Sequence, residues 1–213
     1  MNDPDKALEH LKVIRGLMEK ATVYRAVSVP TAIIGGLLAL VASAAFYFLG
    51  EQFDTATTVA IWLGIAVLVN AIHHGLIWRT AQTEGEPYLS SGLRMALKAL
   101  LPPMFVGGVL GLALAYGPAA DLVATTLVWI TFYGLALMAT SGFSPRSLRV
   151  LGLAFTLTGS LLLAVHWAGG AQSASSISPQ RMAAILMAMT FGIFHLLYAG
   201  YTRSQQRDSA LEA

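Results

Sequence analysis

Residues 57–78, TTVAIWLGIAVLVNAIHHGLIW, decide how the rest of the chain folds. This stretch of 22 residues contains no Asp, Glu, Lys or Arg. At 1.5 Å per residue, a helix of this length is roughly 33 Å long and crosses a bilayer core of about 30 Å. Asn70, His73 and His74 lie on roughly one side of such a helix. Because polar side chains are costly in lipid, we expect that side to face other protein or a wet cavity.

The composition of the whole chain is that of a membrane protein. Of its 213 residues, 56% are hydrophobic and 11% are charged, whereas soluble domains carry about 25% charged residues. Because the chain has no cysteine, it cannot form disulfides, thiolate metal sites or thiol nucleophiles. The formal charge of +2 is too small and too scattered to indicate nucleic acid as a partner.

Six apolar runs predict six transmembrane helices, at about 29–49, 57–78, 99–116, 119–140, 148–168 and 181–201. We therefore predict an all-α membrane protein, with a six-transmembrane-helix bundle over 29–201 and a polar cytoplasmic tail at 202–213. A Pro-x4-Gly-Gly pattern begins at both Pro30 and Pro102. It favours three helical hairpins of the same in–out–in direction, and chance similarity between apolar helices is the alternative.

The charged residues predict how the chain sits in the bilayer. Within 1–28, apolar residues recur at helical spacing over 3–25, which predicts an amphipathic helix on the membrane surface. Twelve of the 13 Lys and Arg residues fall on one side of the predicted spans, and only Arg181 falls on the other. By the positive-inside rule, both termini are cytoplasmic. No cleavable signal peptide is evident, because 28 mostly polar residues precede the first apolar run.

Small residues follow one face of several predicted spans, as Gly107, Gly111 and Ala115 do in the third. Such stripes let membrane helices approach closely. We interpret them as packing surfaces, and they also offer faces for a homo-oligomer.

Polar side chains lie at similar depth in the even-numbered spans. Counted from the cytoplasmic ends, His73, Tyr133 and His195 all lie roughly 9–12 Å inside the boundary. If these spans line the interior, the side chains converge on one polar pocket open to the cytoplasm. We predict that its ligand-binding residues are Asn70, His73, His74, Tyr133, His195 and Tyr198. His166, near the outer end of the fifth span, is interpreted as an interfacial residue.

Three interpretations of these residues compete. They could bond only to one another and fix the helix register, since polar contacts between membrane helices average about 0.6 kcal/mol. They could line a site for a small molecule or a lipid head group. His74 and His195 could instead ligate a b-type haem, because opposed histidines at equal depth suit bis-histidine ligation. A zinc or copper site would need a third ligand, and no intramembrane carboxylate supplies it.

Motifs for membrane-embedded catalysis are absent from the sequence. It has neither H-E-x-x-H nor G-x-S-x-G, and no acidic residue lies in the middle of a span. We therefore expect no enzyme, but a protein that binds or translocates a small neutral or amphiphilic molecule. The alternative is a structural or regulatory membrane subunit without a ligand, and haem-mediated electron transfer is third.

The segment 141–149, SGFSPRSLR, places Arg146 and Arg149 where they meet phosphates of the inner leaflet. A docking site for a soluble partner is the other interpretation of this loop. Three stretches, VIRGLMEKATVYR (13–25), TFYGLALMATSGFSPRSLRVLG (131–152) and FGIFHLLYAGY (191–201), resemble an uncharacterised bacterial family of multi-pass inner-membrane proteins. The resemblance implies the same topology and a bacterial cytoplasmic membrane, and it implies no activity.

Overall fold

The computed structural model describes residues 29–85, 87–89, 91–169 and 177–211, and these form a bundle of six long helices. All six are long and apolar enough to cross a membrane, and the described residues contain no β-strand. This confirms the predicted all-helical fold with six helices able to span a membrane. The helices are α1 (Val29–Leu49), α2 (Thr55–Glu84), α3 (Ser91–Tyr116), α4 (Leu122–Ala139), α5 (Arg146–Trp167) and α6 (179–211).

Two polar segments beside the apolar runs continue as helix. The amphipathic helix predicted for 1–28 lies outside the described residues. The polar tail predicted from residue 202 continues as helix, since α6 runs to Leu211. Likewise α2 continues past Trp78 to Glu84 and ends at Gly85, whose φ of 67° is the left-handed conformation that glycine adopts without strain. Neither polar extension contains Gly or Pro, so nothing stops the helix where the apolar run stops.

Aspartates set the starts of α2 and α4. Asp54 Oδ1 accepts a hydrogen bond from the Thr57 N–H at 2.7 Å, and Asp121 Oδ1 accepts one from the Ala124 N–H at 2.9 Å. Each side chain therefore satisfies one of the N–H groups that a helix start leaves unpaired. Hydrogen bonds from the side chain and backbone of Thr57 lower the pKa of Asp54 below its ordinary value of 3.8.

The helices are unequally buried. Helix α4 packs along both α3 and α5, and α1 packs mainly against α6. Of the most apolar 18 residues of α4, 56% are buried, against 17% for α2. Helix α2 touches its chain neighbours α1 and α3 only lightly. The stretch that identifies the fold in the sequence therefore lies at the edge of the bundle.

Glycines allow the closest helix contacts. A Cβ added to Gly36 of α1 would lie 3.1 Å from the carbonyl oxygen of Gly192 in α6. A Cβ on Gly152 of α5 would lie 3.1 Å from the carbonyl oxygen of Gly134 in α4. Gly107 of α3 likewise faces a side chain of α4. These glycines are covered by other helices of the same chain, so contact between copies stays a prediction.

Helix α6 changes its winding in the middle. Its flanks, Pro179–Met187 and His195–Leu211, are α-helical, while Ala188–Phe194 is a π-helical segment. Segments of this kind are rare and are frequent at functional sites. Because a π turn contains one more residue than an α turn, it changes the face on which His195 and the residues after it lie.

Among the described residues, most of the positive charge lies at one end of the bundle. This end contains the α2–α3 and α4–α5 connections and the last turns of α6, and we call it the arginine-rich end. Its arginines are Arg79, Arg94, Arg146, Arg149, Arg203 and Arg207. At the opposite end, Arg181 Nε lies 3.2 Å from Glu51 Oε1.

Candidate functional site

Tyr133 and His195 form a hydrogen-bonded pair between α4 and α6. The Tyr133 hydroxyl oxygen lies 2.8 Å from His195 Nε2, and the two ring centres are 5.6 Å apart. His195 Nδ1 is buried and has no hydrogen-bond partner of good geometry among the described residues. When Nε2 accepts the Tyr133 proton, the ring proton of His195 therefore lies on this buried nitrogen.

Phenylalanine rings enclose the pair. Phe155 of α5 is fully buried, and its ring centre lies 4.9 Å from that of Tyr133 and 5.4 Å from that of His195. Phe191 lies nearly parallel to His195, at 15° and 6.0 Å. Phe194 contacts Phe155 edge-on at 5.5 Å. The hydrogen bond between Tyr133 and His195 therefore lies in apolar surroundings, where an unpaired polar group costs free energy.

Further polar residues continue along the same face of α6. Tyr198 is 6% exposed and belongs to the main core, against which Tyr133 also packs. Thr202, one turn further, is 3% exposed. Since residues three and four apart share a helix face, the half-buried His195 and the buried Tyr198 and Thr202 follow one face of α6, which we call the buried stripe. The structure thus brings Tyr133, His195 and Tyr198 into one region.

His73 and His74 belong to a second group at the edge of the bundle. His73 Nδ1 lies 3.1 Å from Thr31 Oγ1 on α1, and His74 Nδ1 lies 3.0 Å from the Tyr88 hydroxyl in the α2–α3 connection. Both histidines are half-buried, and their ring centres are 5.6 Å apart. In the part of the chain that the structure describes, no hydrogen bond or ring contact joins either of them to Tyr133 or His195. The six predicted residues therefore divide into separate groups instead of one pocket.

Asn70 joins neither group. Its side chain is exposed on α2, and its Nδ2 donates to the Ala66 carbonyl oxygen of the same helix at 2.8 Å. This bond to the backbone satisfies one of the hydrogen-bond donors of the Asn70 side-chain amide within its own helix.

The histidines are not arranged for a haem. His195 Nε2 faces the Tyr133 hydroxyl, and the rings of Phe155 and Phe191 flank the imidazole. His74 is held by Tyr88 at the edge of the bundle. Within the described ranges, no group of three or more His, Cys, Asp and Glu side chains could hold a metal ion. The residues present do not fit bis-histidine ligation, which needs two free imidazoles facing one another across the macrocycle.

A cavity of about 210 Å³ lies at the arginine-rich end, where α5 begins and α6 leaves the core. It is lined by Pro145, Arg146, Ser147, Tyr201, Thr202 and Gln205. Thr202 is seven residues from His195, about 10 Å along the helix. The buried stripe of α6 therefore runs from this cavity to the Tyr133–His195 pair.

A further pair, at the opposite end, was not predicted from the sequence. His166 Nε2 lies 2.8 Å from Asp121 Oδ2, and His166 is 6% exposed. The histidine is thus buried against the carboxylate that also begins α4. Both residues lie at the same boundary of consecutive, oppositely directed spans. Comparing depths across that hairpin would have indicated the contact.

No protein-family model, curated protein or solved structure matches the chain. A function therefore has to be proposed from the two groups of side chains and the cavity.

Proposed function

We propose that the protein binds a small amphiphilic molecule at the cytoplasmic end of α4, α5 and α6, or passes it across the membrane, without enzymatic turnover. The arginine-rich end is cytoplasmic in this proposal, because Lys and Arg accumulate on that side of membrane proteins. Both termini are then cytoplasmic. The membrane we propose is the bacterial inner membrane, which the resemblance of the sequence implies.

The observation that carries the proposal is the position of the cavity. It lies where the buried stripe of His195, Tyr198 and Thr202 reaches the end of the bundle. Ligand sites between helices are concave and carry a few placed polar groups. Here those groups are the side chains of Arg146, Ser147, Thr202 and Gln205.

Apolar surface beside the cavity favours an amphiphile over a fully polar ligand. On α5, Leu153 and Leu157 are 46% and 49% exposed, and on α6 Leu197 is 65% exposed. These side chains lie within two to three turns of the cavity lining. A molecule with a polar head in the cavity can thus place an apolar tail along the lipid-facing surface.

The proposal is tested with a lysophospholipid that carries a photoreactive diazirine in its acyl chain. The purified protein in nanodiscs is irradiated with this probe, and the labelled peptides are mapped by mass spectrometry. We expect labelling concentrated near 145–157 and 193–205. In Gln205→Trp, whose indole fills the cavity from an exposed lining position, this labelling should fall several-fold.

The matched control is Ser204→Trp, which adds the same indole one residue away on an exposed position outside the cavity lining. This variant should label like the wild type. Labelling spread evenly over every lipid-facing helix, and unchanged in Gln205→Trp, would contradict the proposal. Thermal melting of both variants without probe shows whether the fold is kept.

The second candidate is a structural or regulatory subunit without a ligand. Its support is the closed packing around Tyr133 and His195, whose hydrogen bond stays within the bundle. Under this function the photoreactive probe gives only even labelling. This function also predicts that another membrane protein loses stability or disappears from cells that lack this protein.

A further inference from the structure

We infer that the cavity at the start of α5 is a phosphate site, and that the polar head of the bound molecule carries this group. The inference rests on the proposed function and narrows its ligand to a phosphate-bearing amphiphile. The size of the cavity agrees with a head group. Sites that hold a whole drug-sized ligand measure about 300–1,000 Å³, whereas this cavity measures about 210 Å³.

The charge around the cavity favours an anion. The residues that line it include one arginine, Arg146, and no Asp or Glu. Arg149 donates from Nη2 to the Ser141 carbonyl oxygen at 2.8 Å, which fixes the loop. The Arg146 guanidinium lines the cavity and has no hydrogen-bond or ion-pair partner among the residues that the structure describes. The planar guanidinium offers several N–H donors in an arrangement that suits a phosphate.

A buried hydroxyl in the cavity wall lacks a good partner. Thr202 is 3% exposed, and its hydroxyl oxygen lies 3.5 Å from that of Ser147. Ordinary hydroxyl hydrogen bonds measure about 2.5–3.0 Å, so this contact is long. A buried donor that is poorly paired costs free energy, and an anion oxygen within reach of both hydroxyls could accept a hydrogen bond from each.

The first turn of α5 forms part of the wall of the same cavity. The helix begins after Pro145, which supplies no side-chain cap. The N–H groups of Leu148 and Arg149 turn back to the Pro145 carbonyl oxygen, at 3.1 and 3.3 Å. Those of Arg146 and Ser147 come before them and meet no acceptor within the helix. Arginines in a first turn oppose the helix dipole, and a bound anion reverses that unfavourable charge.

The test compares three probes by native mass spectrometry and thermal stabilisation of the detergent-purified full chain. They are dioleoyl phosphatidic acid, dioleoylglycerol with the same chains but no phosphate, and inorganic phosphate. We expect phosphatidic acid to bind and stabilise the protein and dioleoylglycerol to do neither. In Arg146→Gln the affinity for phosphatidic acid should fall on the order of tenfold or more, since hydrogen bonds to charged groups are worth about 1.5–3 kcal/mol.

The matched control is Arg203→Gln, which removes an exposed arginine of α6 that does not line the cavity. This variant should keep the wild-type affinity. Equal melting temperatures of both variants without probe show that the fold is unchanged.

The possible outcomes distinguish a failure of the phosphate site from a failure of the proposed function. Binding of inorganic phosphate that depends on Arg146, with no gain from acyl chains, supports the phosphate site and contradicts an amphiphilic ligand. Equal binding of phosphatidic acid and dioleoylglycerol, unchanged in Arg146→Gln, overturns the phosphate site and leaves the proposed function standing. No binding of any probe overturns the phosphate site, and the diazirine experiment then decides the proposed function separately.

Discussion

Two tyrosine–histidine pairs of similar geometry lie in very different surroundings. Tyr133 and His195 meet at 2.8 Å between α4 and α6, among phenylalanine rings in the core. Tyr88, in the α2–α3 connection, meets His74 of α2 at 3.0 Å, at the edge of the bundle. The first pair joins helices 62 residues apart in sequence, the second residues 14 apart. The distance alone therefore does not indicate how much each pair contributes to the fold.

The difference follows from how the helices pack. Helix α4 is enclosed by α3, α5 and α6, so Tyr133 has no outside partner for its hydroxyl. Helix α2 is mostly exposed, so water or lipid head groups at the bundle end can replace the contact between His74 and Tyr88. A buried polar pair is costly to break, while an exposed one is replaced at little cost. Two predictions test this contrast, and a third tests the start of the exposed helix α2.

The largest effect is expected from Phe155→Ala. This residue is fully buried and touches Tyr133, His195 and Phe191. Its removal leaves a cavity around the central pair and should lower the free energy of unfolding by about 3 kcal/mol. The measurement is SDS-induced unfolding in mixed micelles, followed by circular dichroism.

Phe105→Ala is the control, because Phe105 of α3 is 72% exposed and faces the surroundings of the bundle. Its free energy of unfolding should stay near that of the wild type. Equal losses in the two variants would mean that the region around Phe155 is not the packed centre of the molecule.

A smaller effect is expected when one hydroxyl is removed from each pair. Tyr133→Phe leaves His195 Nε2 unpaired in apolar surroundings and should cost about 1–2 kcal/mol. Tyr88→Phe should cost less than about 0.6 kcal/mol, the average for polar contacts in membrane proteins. The same unfolding assay measures both. If Tyr88→Phe proved the more costly change, the proposed ranking of the two pairs would be reversed.

The smallest effect concerns the start of α2. The lowered pKa of Asp54 means that its carboxylate stabilises the first turn at pH values above its ordinary 3.8. That contribution is lost as the pH falls through the lower value of the folded protein. Acidification below about pH 4 should therefore speed hydrogen exchange of the Thr57 amide, measured by NMR.

The variant Asp54→Asn keeps a capping oxygen but does not titrate. Its Thr57 amide should show no such acid-dependent increase beyond the intrinsic pH dependence of exchange. An identical pH response in wild type and variant would show that Asp54 is not the group responsible.

Much of the fold could be predicted from the sequence, because it follows from local properties. The six helices are set by runs of apolar residues. The capping of α2 and α4 by Asp54 and Asp121 is seen only in the structure. The candidate site was predicted only in part. Counting depth along each helix indicated that Tyr133 and His195 lie level, and they do meet. It also put His73 and His74 at that depth, but depth does not state which helices are neighbours.

Other features required the complete fold. No sequence pattern predicts the π-helical segment before His195. None predicts that Phe155 packs against the His195 ring either. The cavity arises where 145–147 meet 201–205, two segments more than 50 residues apart. Each segment alone contains ordinary polar residues, so neither predicts a site.

The sequence by itself determined that this chain is a bundle of helices able to span a membrane, because each span needs only its own length and apolarity to be stable in lipid. The tertiary structure decided which helices are central. Between membrane helices of similar apolarity, close packing at small residues selects the neighbours, and that packing depends on all the helices at once. Here Gly36 meets Gly192 and Gly134 meets Gly152, which encloses Tyr133 and His195 and leaves α2 at the edge.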